Sequence, residues 1–228
     1  MKLTVFSPSG VTPAAAPLRL ALRRLRELGF DAGRDGAALA RQQRFAGSDE
    51  VRLAAIHRVA EQAPDIAMAT RGGYGLTRLL GGIAWKKLAR CVAERGTRWV
   101  GLSDFTALQL GLLAHTGAGS WAGPCALEGF GRADNAGGAD DVTAACFAEA
   151  MRGELEAVGF RTEAGFDGLA VRGTLWGSNL AMLCSLLGTP HLPRIKGGVL
   201  FLEDVNEHPY RIERMLLQLL QAGVLGAQ

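Results

Sequence analysis

The chain has 228 residues, of which 48% are hydrophobic and 21% charged, a composition typical of a globular protein with a substantial core. Its net charge is +3, and its 25 lysine and arginine residues are spread along helical patterns, which argues against nucleic-acid binding. No stretch approaches the roughly 18 apolar residues of a membrane span, so we expect no association with a membrane.

The four cysteines are widely spaced and form no C-x-x-C pair: Cys91, Cys125, Cys146 and Cys184. This spacing indicates neither a zinc site nor a disulfide framework, so we expect reduced thiols. We also expect the protein to use no cofactor. The N-terminal "MKLTVFSPSG" lacks the apolar stretch of a signal peptide. These features predict a cytoplasmic protein.

The first elements alternate between strand and helix. "KLTVF" predicts a buried strand that stops at the turn "SPSG", and "APLRLALRRLRELGF" predicts a helix that ends at Gly29. "DEVRLAAIHRVAEQA" predicts a second helix, with Asp49 as its N-cap. "DIAMAT" predicts the next strand, which stops at "RGGYG".

The alternation continues beyond that loop. "GLTRLLGGI" and "AWKKLARCVAERG" predict helices, "TRWVGLS" a strand and "DFTALQLGLLAHTG" a further helix. Such alternation predicts a parallel sheet with helices on both faces. The loops "SPSG", "RGGYG" and "LSDF" would then meet at the carboxyl ends of the strands, where α/β proteins place their functional groups.

The character of the sequence changes after about residue 130. "GRADNAGGAD" predicts a loop, residues 141–155 a helix, and "FRTEAGFDGLAVRGTLWGSN" and "GVLFLED" a smaller β-rich unit with the helices "LAMLCSLLG" and "YRIERMLLQLLQAG". We therefore predict an α/β domain over residues 1–145 and an incomplete β-rich C-terminal domain over 146–228.

Ser103 stands at a predicted strand-to-helix joint. A serine at such a turn presents its hydroxyl above the sheet, next to backbone N–H groups that can hold an oxyanion. Gly101 matches the first glycine of the hydrolase motif G-x-S-x-G, but Phe105 replaces the second. Two interpretations therefore stay open: a nucleophile, or an N-cap for the helix whose first turn includes Asp104.

"TRGGYG" (residues 70–75) is a second candidate. Its glycines can adopt backbone conformations closed to other residues and bring N–H groups close to a ligand oxygen. The segment matches neither a Walker loop nor G-x-G-x-x-G. An oxyanion or phosphate cradle and a plain tight turn are both compatible with it.

Glu203 ends an apolar strand and needs a polar partner there, such as a histidine; otherwise it would cap the next helix. Among the histidines, His57 lies in mid-helix and His115 lies about 18 Å along the helix from Ser103. His191 and His208 are weak candidates for a general base.

Six segments, in order, carry a family resemblance: "SPSG", "RFAGSDEVRL", "ATRGGYGLTRLL", "GLSDFTALQLGLLAH", "GTLWGSNLAMLCSLLGTP" and "GVLFLEDVNEHPYRIERMLLQL". Together they resemble the serine LD-carboxypeptidases, the family of muramoyltetrapeptide carboxypeptidases and microcin self-immunity peptidases. The resemblance implies an α/β N-terminal domain, a smaller β-rich C-terminal domain and a metal-free Ser-His-Glu triad between them.

By motif, the resemblance assigns Ser103 as the nucleophile and Glu203 as the triad carboxylate. It assigns the oxyanion hole to the N–H groups of Asp104 and of a glycine in "RGGYG", for which we select Gly73. Arg71 lies beside that loop and is a candidate to bind the carboxylate of the substrate.

The chain departs from the family at the general base. The family's triad histidine lies in a glycine-histidine turn near the C-terminus, and no histidine here matches it; Ser178 also replaces a usual glycine. We therefore expect either the first part of a family member, or a naturally shortened protein that has lost catalysis or recruits His208 or a partner's histidine. Without the base, the rate should fall by about 10⁴ or more.

The resemblance implies release of the terminal D-alanine from cytosolic murein tetrapeptides during peptidoglycan recycling, by a homodimer. Two alternatives remain. One is a non-catalytic α/β protein that binds an anionic ligand. The other is a peptidase of the same family that acts on an aminoacyl-nucleotide peptide antibiotic.

Overall fold

A parallel sheet forms the centre of the N-terminal part. The computed structural model describes residues 1–166 and 168–228. The strands of the main sheet are β1 (Lys2–Phe6), β2 (Asp31–Arg34), β3 (Ile66–Ala69), β4 (Arg98–Gly101) and β5 (Trp121–Ala122). They lie in the order β2-β1-β3-β4-β5, and every neighbouring pair is parallel.

Helices cover both faces of this sheet: α1 (Ala15–Glu27), α2 (Asp49–Gln62), α3 (Trp85–Arg95), α4 (Thr106–Thr116) and α5 (Asp141–Arg152). Because side chains alternate along a strand, β3 directs Met68 to one face and Ala67 to the other. Met68 packs in the cluster of α1 and α5, and Ala67 in the cluster of α2, α3 and α4. The predicted two-sided parallel sheet is confirmed.

A smaller sheet follows, made of the parallel strands β6 (Leu175–Asn179) and β7 (Val199–Glu203). Two helices accompany it, α6 (Leu180–Ser185) and α7 (Pro209–Gln221). Their buried residues Leu183 and Leu219 belong to the same apolar cluster as α4. The small C-terminal sheet is therefore anchored to the helix that follows Ser103, in agreement with the predicted fold class.

Several local predictions were wrong. Ser48, not Asp49, caps α2, because its hydroxyl accepts a hydrogen bond from the Val51 N–H at 3.3 Å. "GLTRLLGGI" forms two 3₁₀ turns, Leu76–Arg78 and Leu80–Gly82, instead of an α-helix. Between residues 154 and 174, where β structure was expected, the described residues form no strand.

Helix α5 spans the predicted domain boundary. Its Phe147 and Met151 pack in the α1 cluster, where the Phe147 ring lies 5.5 Å from that of Phe30. A division between residues 145 and 146 stays a prediction and would fall inside this helix. In the described ranges, 1–166 and 168–228, every helix is too short or too polar to cross a membrane.

Candidate active site

Ser103 occupies a sharp turn between β4 and α4. It opens a 3₁₀ turn (Ser103–Phe105) that leads directly into α4. Its φ is +62°, in the left-handed region that residues with a Cβ rarely adopt. This is the strained strand-to-helix geometry that raises a serine hydroxyl above the edge of a sheet.

Phe105 explains why half of the G-x-S-x-G motif is absent. The Phe105 ring is completely buried and packs edge-on against Phe6, with ring centroids 6.1 Å apart. A Cβ on Gly101 would lie 2.6 Å from the ring of Phe105. The glycine before the serine therefore makes room for the aromatic residue after it, and the turn needs no second glycine.

The Ser103 side chain does not cap a helix. No capping side chain accepts a hydrogen bond from the first N–H groups of the 3₁₀ turn or of α4, whereas the side chains of Ser48 and Asp140 do so for their own helices. Within the described residues the Ser103 hydroxyl has no hydrogen-bond partner. The N-cap interpretation is wrong, because the hydroxyl is left free beside the glycine loop.

The glycine loop lies directly over Ser103. A Cβ on Gly72 would be 2.7 Å from the Ser103 oxygen, and the Gly72 carbonyl accepts a hydrogen bond from the Gly10 N–H at 3.2 Å. Gly73 has a φ of +119° and faces Gly10. Among the described residues, no acceptor pairs with the Gly73 N–H. The choice of Gly73 as oxyanion donor stays a prediction, and Gly72 is the residue that contacts the hydroxyl.

Arg52, which the sequence reasoning missed, joins the two loops. Its side chain is fully buried and donates to the carbonyls of Pro8 at 3.0 Å and Gly75 at 3.1 Å. It also pairs with Asp49 and lies over the Phe45 ring, 4.7 Å from the centroid. One guanidinium thus fixes "SPSG" and "RGGYG" relative to each other.

Asp104 contributes a buried carboxyl next to the nucleophile. Its Oδ2 accepts a hydrogen bond from the Leu76 N–H at 3.1 Å. Burial raises the pKa of Asp104, and this effect outweighs the opposing influence of Ser9 and of the positive charge on Arg52. The side chain ties the turn of Ser103 to the end of the glycine loop, while the Asp104 N–H follows the nucleophile in the chain.

Glu203 lies at the end of β7, linked to the beginning of α4. Its Oε1 accepts a hydrogen bond from the Asn179 side-chain amide at 2.9 Å. The Asn179 backbone N–H donates in turn to the Thr106 hydroxyl at 3.4 Å. Thr106 follows the Ser103 turn, so these contacts bring the end of the small sheet to the elbow of the large one.

None of the four histidines contacts Ser103 in the described structure. His115 and His191 contact each other, with ring nitrogens 2.9 Å apart, and the His115 ring stacks on Trp85. His57 accepts a hydrogen bond from the Ala84 N–H, and burial lowers its pKa. His208 stacks on Tyr210. Each histidine is occupied elsewhere, so none is placed to take the proton of Ser103.

Arg71, the predicted cation, lies beside the glycine loop. Its Nη1 donates to the Val11 carbonyl at 3.4 Å, and its Nε lies 3.8 Å from Oε1 of Glu128. Glu128 belongs to a π-helical turn (Ala126–Phe130) that the sequence did not indicate. The site therefore holds a positive and a negative side chain next to the serine turn.

A two-sided parallel sheet, a free serine on a left-handed strand-to-helix turn and a glycine loop above it are features of α/β serine hydrolases as a class. The chain belongs to the LD-carboxypeptidase family and is thus by class a serine carboxypeptidase. Residues 3–123 match the LD-carboxypeptidase N-terminal domain, and residues 172–227 match the LD-carboxypeptidase C-terminal domain.

Individual relatives agree with this assignment. The murein tetrapeptide carboxypeptidase of Pseudomonas aeruginosa is 32% identical over 232 residues, which cover 95% of this chain and 73% of the relative. The crystal structure of muramoyltetrapeptide carboxypeptidase from Oxalobacter formigenes matches with a TM-score of 0.87 and 36% identity, over 100% of this chain and 74% of that one.

A second similar structure is the microcin C7 self immunity protein MccF, with a TM-score of 0.82 and 20% identity, over 99% of this chain and 75% of that one. At that identity the similarity shows the fold alone. The predicted family is confirmed, and the roles of single residues stay predictions.

Proposed function

We propose that this chain carries the nucleophile of an LD-carboxypeptidase that releases the terminal D-alanine from murein tetrapeptides. The observation that carries the proposal is the free hydroxyl of Ser103, on a left-handed turn and in contact with Gly72. The names of the Pseudomonas and Oxalobacter relatives support the substrate.

In the proposed reaction, the Ser103 oxygen attacks the carbonyl carbon that precedes the terminal D-alanine. The C–N bond then breaks, D-alanine leaves with a proton on its amine, and water hydrolyses the acyl-serine. The N–H groups of Asp104 and Gly73 would stabilise the oxyanion of each tetrahedral intermediate. One such donor typically contributes about 3 kcal/mol to the transition state.

Ser103 needs a base to accept its proton, and we propose that Glu203 orients a histidine for this task. No histidine of the described residues forms a hydrogen bond with Ser103 or Glu203, so none of them is placed as this base. Loss of a triad base lowers kcat by about 10⁴ or more. The 228-residue chain alone should therefore hydrolyse the peptide slowly.

The test is D-alanine release from a meso-diaminopimelate tetrapeptide, measured by amino-acid analysis over long incubations. Imidazole is added as an external base, because loss of the nucleophile has little further effect where no base is present. We expect slow release by the chain, loss of that release in Ser103→Ala, and no change in the control Ser185→Ala, whose serine is exposed on α6. Equal rates for the chain and Ser103→Ala would contradict the proposal and favour a non-catalytic binding protein.

We further propose that the protein acts as a homodimer in the cytoplasm, in peptidoglycan recycling. The cysteines of the described residues are all free, which fits a reducing compartment. Light scattering coupled to size exclusion tests the dimer, since a monomer at micromolar concentration would contradict it.

A further inference from the structure

A charge pair, Arg71 and Glu128, stands beside the serine turn and takes no part in the proposed proton transfers. Its Nε to Oε1 distance of 3.8 Å is too long for a hydrogen bond. By contrast, Arg78 binds Asp49 through two hydrogen bonds of 2.9 and 2.8 Å to one carboxylate oxygen. The Arg71 pair is therefore a loose pair, unlike the tight ion pair at the other side of the glycine loop.

Both charges flank the nucleophile. Arg71 immediately precedes Gly72, which contacts the Ser103 oxygen. Glu128 follows Cys125, whose thiol lies against the N–H of Leu102, the residue before Ser103. The Leu127 N–H, next to Glu128, donates to the carbonyl of Thr70, next to Arg71, at 2.8 Å, which places Glu128 beside the glycine loop.

The guanidinium of Arg71 has unused donors. Of its five N–H groups, Nη1 makes one long hydrogen bond, and Nε is buried without a partner among the described residues. Glu128 is half-exposed, and partial burial raises its pKa despite the neighbouring Arg71 and Arg132. A cation with free donors and an anion with free acceptors thus lie side by side at the surface, next to Ser103.

The ligand that fits such a pair carries the opposite charges side by side. A lone carboxylate at Arg71 would be repelled by Glu128, and a lone ammonium at Glu128 would be repelled by Arg71. An ammonium and a carboxylate on one carbon satisfy both, since the carboxylate can take two guanidinium N–H bonds while the ammonium donates to Glu128.

We propose that Arg71 and Glu128 form a subsite for a free α-amino-acid group on the substrate side chain. The inference rests on the proposed function: in a murein tetrapeptide, the D-centre of meso-diaminopimelate carries an ammonium and a carboxylate on one carbon. A lysine side chain at the same position carries the ammonium alone. The subsite therefore selects diaminopimelate peptides over lysine peptides. In this arrangement Arg71 binds the carboxylate at the D-centre of diaminopimelate in preference to the terminal D-alanine carboxylate.

Calorimetric binding to the 228-residue chain tests the subsite, because binding does not need the general base. The ligands are the meso-diaminopimelate tetrapeptide, its form amidated at the D-centre, its form amidated at the D-alanine carboxyl, and the L-lysine tetrapeptide. We expect the first to bind about tenfold more tightly than the lysine peptide and the D-centre amide. Any loss of affinity on amidation of the D-alanine carboxyl should not depend on Arg71.

Substitutions test whether the preference for the diaminopimelate peptide depends on Arg71 and Glu128. Glu128→Gln and Arg71→Met should each bring the diaminopimelate peptide to the affinity of the lysine peptide, and the double variant should lose little more. The control Glu61→Gln removes an exposed pair with Lys87 and should change no affinity. The comparison of ligands on the unaltered chain gives a result even where a variant folds poorly.

The outcomes separate the two proposals. Equal affinity for the diaminopimelate, lysine and D-centre-amidated peptides would overturn the subsite and leave the proposed function standing. The subsite would also be overturned if only amidation of the D-alanine carboxyl lowered the affinity and this loss required Arg71. Arg71 would then bind the terminal carboxylate. Absence of binding by every tetrapeptide would overturn the proposed function and the subsite together.

Discussion

The side-chain oxygen of Ser103 lies 2.7 Å from the point where a Cβ of residue 72 would stand, so the glycine loop and the nucleophile fill complementary space. No real Cβ tolerates that distance, and either the hydroxyl or the loop would have to move. The contact makes Gly72 a steric partner of Ser103.

Gly72→Ala should lower the Ser103-dependent release of D-alanine by about 100-fold, because a shift of about 1 Å at a reacting atom has that effect. Gly72 lacks a positive φ, so an alanine fits its backbone and the chain should stay folded. Gly81→Ala is the matched control, since a Cβ there meets nothing within 4 Å. Equal activity of the two variants would show that the loop does not confine the nucleophile.

Arg52→Met should lower the free energy of unfolding by about 3 kcal/mol, because it leaves two buried carbonyls without their donor. Arg78→Met is the control: Arg78 binds the same Asp49, but its side chain is 60% exposed. We expect that variant to lose less than about 1 kcal/mol. Urea denaturation measures both, and similar losses would contradict a special role for Arg52.

The buried carboxyl of Asp104 should make the free energy of unfolding depend on pH. Because its pKa is raised in the folded state, the folded chain binds the proton more tightly than the unfolded chain does. The free energy of unfolding should therefore fall, relative to Asp104→Asn, as the pH rises above the ordinary value of 3.8. Denaturation between acid and neutral pH tests the sign, and a relative gain with rising pH would refute it.

The histidines should be dispensable for what activity the chain has. Because each contacts other groups, His57→Ala, His115→Ala, His191→Ala and His208→Ala should each change D-alanine release by less than about twofold, whereas loss of a real triad base has an effect of about 10⁴. A strong loss in His208→Ala would mean that this residue is recruited as the base.

Added imidazole gives the complementary measurement. It should accelerate release by the unaltered chain, because it can accept the Ser103 proton, and it should have no effect on Ser103→Ala. A response of Ser103→Ala as large as that of the unaltered chain would show that imidazole does not act through the nucleophile.

The elements that depend on their own apolar residues could be predicted from the sequence, and those that depend on neighbours could not. The run in β3 is buried along its whole length, and the pattern predicts that. Strand β2 reads Asp-Ala-Gly-Arg, and β5 has two residues. Both form because an existing strand offers hydrogen bonds at its edge, which no local pattern records.

The site shows the same division. The turn and its glycine loop stand out in the sequence, and the family motifs point to Ser103. Arg52 also left a signal, since it shares the buried helical face of Ile56 and Val59 at spacings of four and seven residues. Glu128 left none, because a π-helical turn and a loose pair with Arg71 arise from the meeting of two distant loops.

The left-handed backbone at Ser103 has a consequence for the evolution and engineering of this chain. A glycine adopts that φ without the steric penalty of a Cβ, so Ser103→Gly should raise the free energy of unfolding by about 1 kcal/mol while it removes the nucleophile. A screen for thermal tolerance alone would thus favour loss of the hydroxyl. Stability and chemistry oppose each other at this position, and any stabilised version of the protein must be selected with a readout of hydrolysis.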